Sequence, residues 1–250
     1  MKTTKLVSSL LAAGALSLAA TGAHAVTVAG VSWDADSVLD FGAQSALWET
    51  VALNAGDTIE GYGRFNTLNG SNNFCNNCEL TFVFSGYTLL NNLTGAPFEQ
   101  FFLSGGTIQV YVDNSEDFDP LNPASATNGQ LWLDLVGVDA LGIGATLAGS
   151  TTIFSTLGLG IAGQGAGYLD VVGGLAAAHF DTDSQVGGSD FLYTSSFQPL
   201  PNSITQDGVT YTHFGTAEIS GNSIPEPATL ALLGMGLVGL GLARRSKKAA

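Results

Sequence analysis

From Trp48 onward the chain alternates short apolar runs with clusters of turn residues, and that alternation confines it to β structure. The runs WETVALN, DTIEGYGRF, ELTFVFSGYTLL, EQFFLS, TIQVYVD, QLWLDLVGVDAL, STTIFSTL, YLDVVGG, DFLYTSSF and VTYTHFGTAEIS have strand length and are rich in β-branched and aromatic residues. Glu79 to Phe84 and Thr107 to Val112 show period-two patterning, and breaks rich in glycine or asparagine recur every 8 to 15 residues. Many short strands in one stretch predict an all-β fold, an antiparallel β-sandwich or a barrel-like domain. One helix is expected at Leu169 to Phe180, where leucine, valine and three alanines follow one another, although Gly173 and Gly174 weaken it. No repeat of fixed period and no proline- or serine-rich linker divides residues 26–221, which read as one β-rich extracellular domain.

Charge is distributed as unevenly as hydrophobicity is evenly. The 250 residues carry 21 acids and 7 bases, yet between residues 26 and 224 there are 20 acids and a single base, Arg64, for a net charge of −19. Such a surface repels nucleic acid and anionic lipid, because neutralising phosphates takes lysines and arginines that this stretch lacks. The remaining bases sit at the two ends, where they belong to targeting signals.

Residues 1–25 place Lys2 and Lys5 before an apolar stretch from Leu6 to about Ala20, then Ala23 and Ala25 in an A-x-A cleavage pattern. This predicts a signal peptide, export through the general secretory translocon, and removal by signal peptidase. Residues 222–250 run from Pro225, Glu226 and Pro227 through 16 uncharged residues, Ala228 to Ala243, into Arg244, Arg245, Lys247 and Lys248. As a helix the uncharged segment would be ~24 Å long, slightly under the ~30 Å hydrocarbon core, a mismatch that a little bilayer thinning absorbs. The basic cluster then acts as a stop on the cytoplasmic side, leaving everything before Pro225 outside. The expectation is a single transmembrane helix that holds the chain in the inner membrane until it is cut.

This order of motif, apolar segment and basic end resembles the PEP-CTERM sorting signal of Gram-negative bacteria that produce exopolysaccharide. The resemblance covers ~26 residues of the 250. It implies that a membrane-embedded exosortase recognises Pro225 to Pro227, cuts near them, and passes the protein toward the cell surface and extracellular matrix. Through GYGRFNTLNG, TIQVYVDN, GAGYLDVVGGLAAAHFDTD and DFLYTSSF, the body is similar to flocculation-associated members of that group. That second resemblance implies a role in cell aggregation and in floc or biofilm formation.

Motifs for chemistry are sparse. Cys75 and Cys78 form the single CxxC, in an asparagine-rich loop, and in an exported protein they read as a short-loop disulfide that pins a hairpin. A redox site would want a helix N-terminus after a strand, and structural zinc would want more histidines close by. His179 reads as a polar residue capping the AAAHFDTD turn, with Asp181, Ser184 and Ser189 nearby but no G-x-S-x-G elbow, and His213 reads as a surface residue on a strand. Gly158 to Gly163 and Gly234 to Gly239 both spell G-x-G-x-x-G, but neither opens a helix after a strand, so neither is a nucleotide site.

The stretch from Asp113 to Pro120 packs four carboxylates into seven residues. It reads either as a solvated acidic loop or as a calcium site built from Asp113, Asp117, Asp119 and nearby carbonyls. It is not an EF-hand, since Phe118 and Ala124 stand where that loop needs Gly and Glu. A pair of acids for glycoside hydrolysis can always be found among 20 carboxylates, so spacing alone says nothing. Taken together, the sequence predicts a non-enzymatic surface or extracellular-matrix protein of a Gram-negative bacterium, without a cofactor unless calcium binds. It would associate with exopolysaccharide. Two other readings stay open: a secreted hydrolase of matrix polysaccharide, and a calcium-dependent carbohydrate-binding module.

Overall fold

The computed structural model describes residues 25–35, 40–153 and 160–224. The signal peptide up to residue 24, the Pro225-Glu226-Pro227 motif, the apolar segment and the basic cluster lie outside the described residues. Among those described, the runs fold as β1 (Ala25–Val28), β2 (Val31–Asp34), β3 (Phe41–Glu49), β4 (Thr58–Leu68), β5 (Glu79–Leu89), β6 (Phe98–Asp113), β7 (Gln130–Val138), β8 (Leu147–Ile153), β9 (Ile161–Gly173), β10 (Phe191–Gln206) and β11 (Val209–Gly221). The described residues contain no α-helix, only short 3-10 turns such as Pro123–Ala126.

Strands β3 to β11 form one antiparallel sheet that closes on itself. β11 pairs back to β3, and β10 pairs with both β9 and β11. β7 and β8 share one position in the ring. The C-terminal half of β6 and the C-terminal half of β9 flank β7, while their N-terminal halves flank β8. The result is an up-and-down barrel of eight positions, so the expected all-β class resolves to a barrel and not a sandwich. Closure removes the edges of the ring itself, while the far ends of β10 and β11 pair only with each other beyond it.

EQFFLS and TIQVYVD are two halves of one 16-residue strand, β6. It bends at Gly105 and Gly106, which take φ of 71° and 92°, a region that glycine enters without steric cost. A side chain at Gly106 would sit 2.2 Å from the Tyr87 ring.

The expected helix at Leu169 to Phe180 is overturned. Its first half is the end of β9, where Leu169 faces the barrel axis opposite Phe191, and the rest holds only the turn Ala177–His179. Gly173 and Gly174, which weakened the helix expectation, end this strand, and two glycines earlier in it let it pack. Gly163 and Gly165 lie under the rings of Phe197 and Phe101, where a Cβ would come within 2.5 and 3.3 Å of them.

One end of the barrel is plugged by the β1–β2 hairpin. Trp33, on β2, stacks on Phe180 at 5.0 Å and meets Trp132 edge-on at 5.8 Å. Trp132 is fully buried and donates its indole N–H to the Val28 carbonyl at 3.1 Å. Cys75 and Cys78, bonded to each other with Cα atoms 5.1 Å apart, close the β4–β5 loop, which is tied to the plug by a Val31–Cys75 bridge.

Candidate functional site

A shallow groove of about 910 Å³ lies on the outer wall. An inward-facing row of small residues runs beneath it. Across seven strands, cross-strand pairing aligns Phe101, Gly149, Gly165, Ser195, Ala217, Ser45 and Phe65, so five consecutive small residues separate two phenylalanines. The ring of Phe101 reaches under Gly149 and Gly165, where a Cβ would come within 2.4 and 3.3 Å of it.

Two outward rows flank that belt. One aligns Phe102, Ala148, Ala166, Thr194, Glu218, Gln44 and Thr67; the other aligns Gln100, Ser150, Gln164, Ser196 and Thr216. Neighbouring hydroxyls are within hydrogen-bond reach, with Ser196 Oγ and Thr216 Oγ1 3.0 Å apart. The groove is lined by amides, hydroxyls and alanines, and Glu218 is its one ionisable side chain. On a domain of net charge −19 this is a distinctly neutral face.

Inside the barrel, toward the unplugged end, lies a much smaller cavity of about 50 Å³. Five aromatic rings, those of Phe84, Tyr87, Phe101, Tyr193 and Phe197, line it together with Glu49 and Thr151. Glu49 follows Ser45 and Leu47 along the inward face of β3 and is pushed up to about 8 by burial. His213, directly opposite Glu49 in register, supplies no compensating charge. Its ring nitrogens engage the Thr212 hydroxyl and the Ile161 carbonyl, and burial pushes its pKa down, which disfavours the charged ring. His213 is therefore an interior residue, not the surface residue expected from its strand, because its position has the inward parity of β11. The Thr151 hydroxyl is enclosed without a hydrogen-bond partner. This cavity admits a water or a few, whereas small-molecule pockets run to ~300–1,000 Å³.

The acidic stretch after β6 folds over the outer face of β3 to β5. Phe118 packs on Trp48 at 5.8 Å and on Tyr62 at 6.4 Å, Tyr62 donates to the Pro120 carbonyl at 2.6 Å, and Thr81 donates to the Ala126 carbonyl at 2.9 Å. Asp113 and Asp117 converge with a residue the sequence reading missed, Glu79. Asp119 does not join them. It caps its own turn, accepting from the Leu121 amide at 2.9 Å while the Ser125 hydroxyl donates to its carbonyl. Glu79 opposes Asp113 across the β5–β6 pair, a neighbour that only the strand register reveals. Burial pushes the Glu79 carboxyl up against the opposing pull of Arg64 and of two backbone amides, and Ser115 holds Asp113 down by backbone and side-chain hydrogen bonds.

A second carboxylate group, Asp181, Asp183 and Asp190, borders the plug. Here the buried Asp190 is consumed by the backbone, accepting from the amides of Val171, Thr182 and Asp183 at 2.8, 2.6 and 2.8 Å. His179 sits beside it in the 3-10 turn with its ring edge against Trp33, and its carbonyl accepts from the Ile224 amide. Among the described residues no hydrogen bond joins His179 to Ser184 or Ser189, whose hydroxyls engage Thr182 and the Val186 carbonyl.

Ser223 is clamped at the same end. Trp33 Nε1 donates to its hydroxyl at 3.0 Å, while its hydroxyl and amide donate to Asp40 at 2.7 and 2.9 Å. Residues 223–247 match the model of the PEP-CTERM protein-sorting motif. The motif marks an exported protein that is processed by an exosortase and sorted to the membrane and cell surface. No curated protein and no solved structure matches the chain, so the likeness of the body to flocculation-associated proteins gains no support from these comparisons.

Proposed function

We propose that the barrel is a non-enzymatic surface or extracellular-matrix protein that associates with neutral stretches of exopolysaccharide through the outer groove, and so acts in cell aggregation, floc or biofilm formation. The observation that carries this reading is the neutral face itself. Amide and hydroxyl side chains in register across the wall present the donors and acceptors that sugar hydroxyls require, and Ala148 and Ala166 in the same outward row let a chain lie close. The sorting motif supplies the location at which such a polymer would be met. The groove holds one carboxylate, Glu218, whereas glycoside hydrolysis of the usual kind sets two acids across the scissile bond. This supports binding over turnover.

Replacing Gln44 and Gln164 with alanine removes two amides from the groove without touching the core. At ~1 kcal/mol net per hydrogen bond, retention on exopolysaccharide from the producing cells should weaken about tenfold or somewhat more. Melting should move little, because both side chains are exposed. Full retention by a normally folded double variant would reject the groove as the binding face.

A further inference from the structure

We propose that Glu79, Asp113 and Asp117 hold a calcium ion that fastens the acidic loop to the outer wall of the barrel. Their carboxylate oxygens lie within 4.8 Å of one another. At ~2.4 Å per calcium–oxygen bond, one ion bridges oxygens up to about that distance apart.

Converging acids alone do not make a site, and the second observation is the state of Glu79. The residue is 1% exposed. One carboxylate oxygen, Oε1, accepts from the amides of Asp117 and Phe118 at 3.1 and 2.9 Å. The other, Oε2, is enclosed and accepts no hydrogen bond. Arg64, whose side chain is 40% exposed, keeps its Nε 3.8 Å from that oxygen, beyond hydrogen-bond reach. A buried carboxylate oxygen without a hydrogen bond is costly, and the ion pair with one partly exposed guanidinium at that distance offsets the cost only in part.

The local charge balance points the same way. Glu79 and Asp113 are directly opposed on adjacent strands, an arrangement that destabilises a sheet when both are ionised. Asp117 adds a third carboxylate, and the single guanidinium of Arg64 offsets only one of them. A divalent cation balances the remainder. The donors are all oxygen, which suits a hard cation, and two of the three carboxylates are already oriented: Asp113 by the Ser115 amide and hydroxyl at 3.1 and 2.9 Å, Asp117 by the Asn128 amide at 3.0 Å. Calcium fits better than magnesium, because a partly exposed site on one fixed wall and one loop does not impose the near-ideal octahedron magnesium demands. The proposal is independent of the glycan reading and is tested without any polysaccharide.

The probe is terbium, whose luminescence is sensitised by nearby aromatic rings; Trp48 and Tyr62 both pack on Phe118, the neighbour of Asp117. With the exported protein, terbium emission should saturate, and calcium should displace it with an affinity on the order of 10⁻⁴ to 10⁻³ M, the range of extracellular modules. Magnesium should need about tenfold more, Asp117→Asn should weaken calcium about tenfold, and Asp119→Asn and Asp183→Asn should each change it by less than about twofold. Asp117 is exposed, so its variant leaves the fold intact even where Glu79→Gln does not. Absence of a saturable signal, equal displacement by magnesium, or a loss confined to Asp183→Asn would each overturn the assignment.

Discussion

Glu49→Gln is expected to flatten the dependence of barrel stability on pH, with the largest gain over the parent protein above pH 8. Glu49 ionises near 4.5 in an unfolded chain and near 8 in the folded barrel, where burial opposes its charge. Below pH 4.5 the carboxyl is neutral in both states, so its contribution to stability is fully present. Between 4.5 and 8 the unfolded chain releases the proton and the folded one retains it, so stability falls as pH rises. Above 8 the folded protein carries a buried carboxylate and the penalty no longer grows. At ~1.4 kcal/mol per pH unit the loss across this window is on the order of 5 kcal/mol. For a domain of this size that corresponds to roughly 10–20 °C in melting temperature. Urea unfolding of both proteins from pH 4 to 9 checks it, with the difference between the two curves as the readout, since that difference cancels the titration of the other carboxylates. Parallel curves would mean that Glu49 ionises in the barrel as it does in water.

That acid was hidden in the sequence for a simple reason. Among 20 carboxylates Glu49 has no local mark, and its inward direction follows only from the parity it shares with Leu47 on β3. The same holds for Glu79, whose partner Asp113 lies 34 positions away and becomes a neighbour through the β5–β6 register. Alternation was legible wherever large β-branched or aromatic residues occupy the inward positions, as in Glu79 to Phe84 and Thr107 to Val112. It failed along β9, where glycines stand in for side chains because the rings of Phe197, one strand away, and Phe101, two strands away, already fill the space. The neutral groove was likewise invisible, since its two rows gather residues from strands scattered between positions 44 and 218. Turn composition located the loops but not what they cover: the acidic loop read as solvated charge or as a calcium site, and neither reading showed that Phe118 packs it against Trp48 and Tyr62.

The plug joins fold to sorting, and Trp33→Ala should show both. Trp33 is buried against Phe180, His179, Trp132 and Phe41, with ring centroids between 5.0 and 6.2 Å away. Truncating so large a side chain leaves a cavity and should cost about 3–5 kcal/mol. Melting should fall by roughly 10 °C. The indole also holds Ser223, which in turn grips Asp40, and Ile224 is fixed to the His179 carbonyl, so the chain is anchored up to the residue before Pro225. The β1–β2 hairpin and the start of the sorting motif therefore share one structural unit at the plugged end. Amide hydrogen exchange at Ser223 and Ile224 should accelerate in Trp33→Ala far more than at the β5–β6 pair on the opposite wall. Trp33→Phe separates the two effects, because it keeps most of the packing while deleting the indole N–H. It should lose about 1 kcal/mol of stability and still loosen Ser223. If Trp33→Ala melts early while both amides keep their protection, the anchor does not depend on the plug, and Asp40 and the His179 carbonyl hold Ser223 and Ile224 without it.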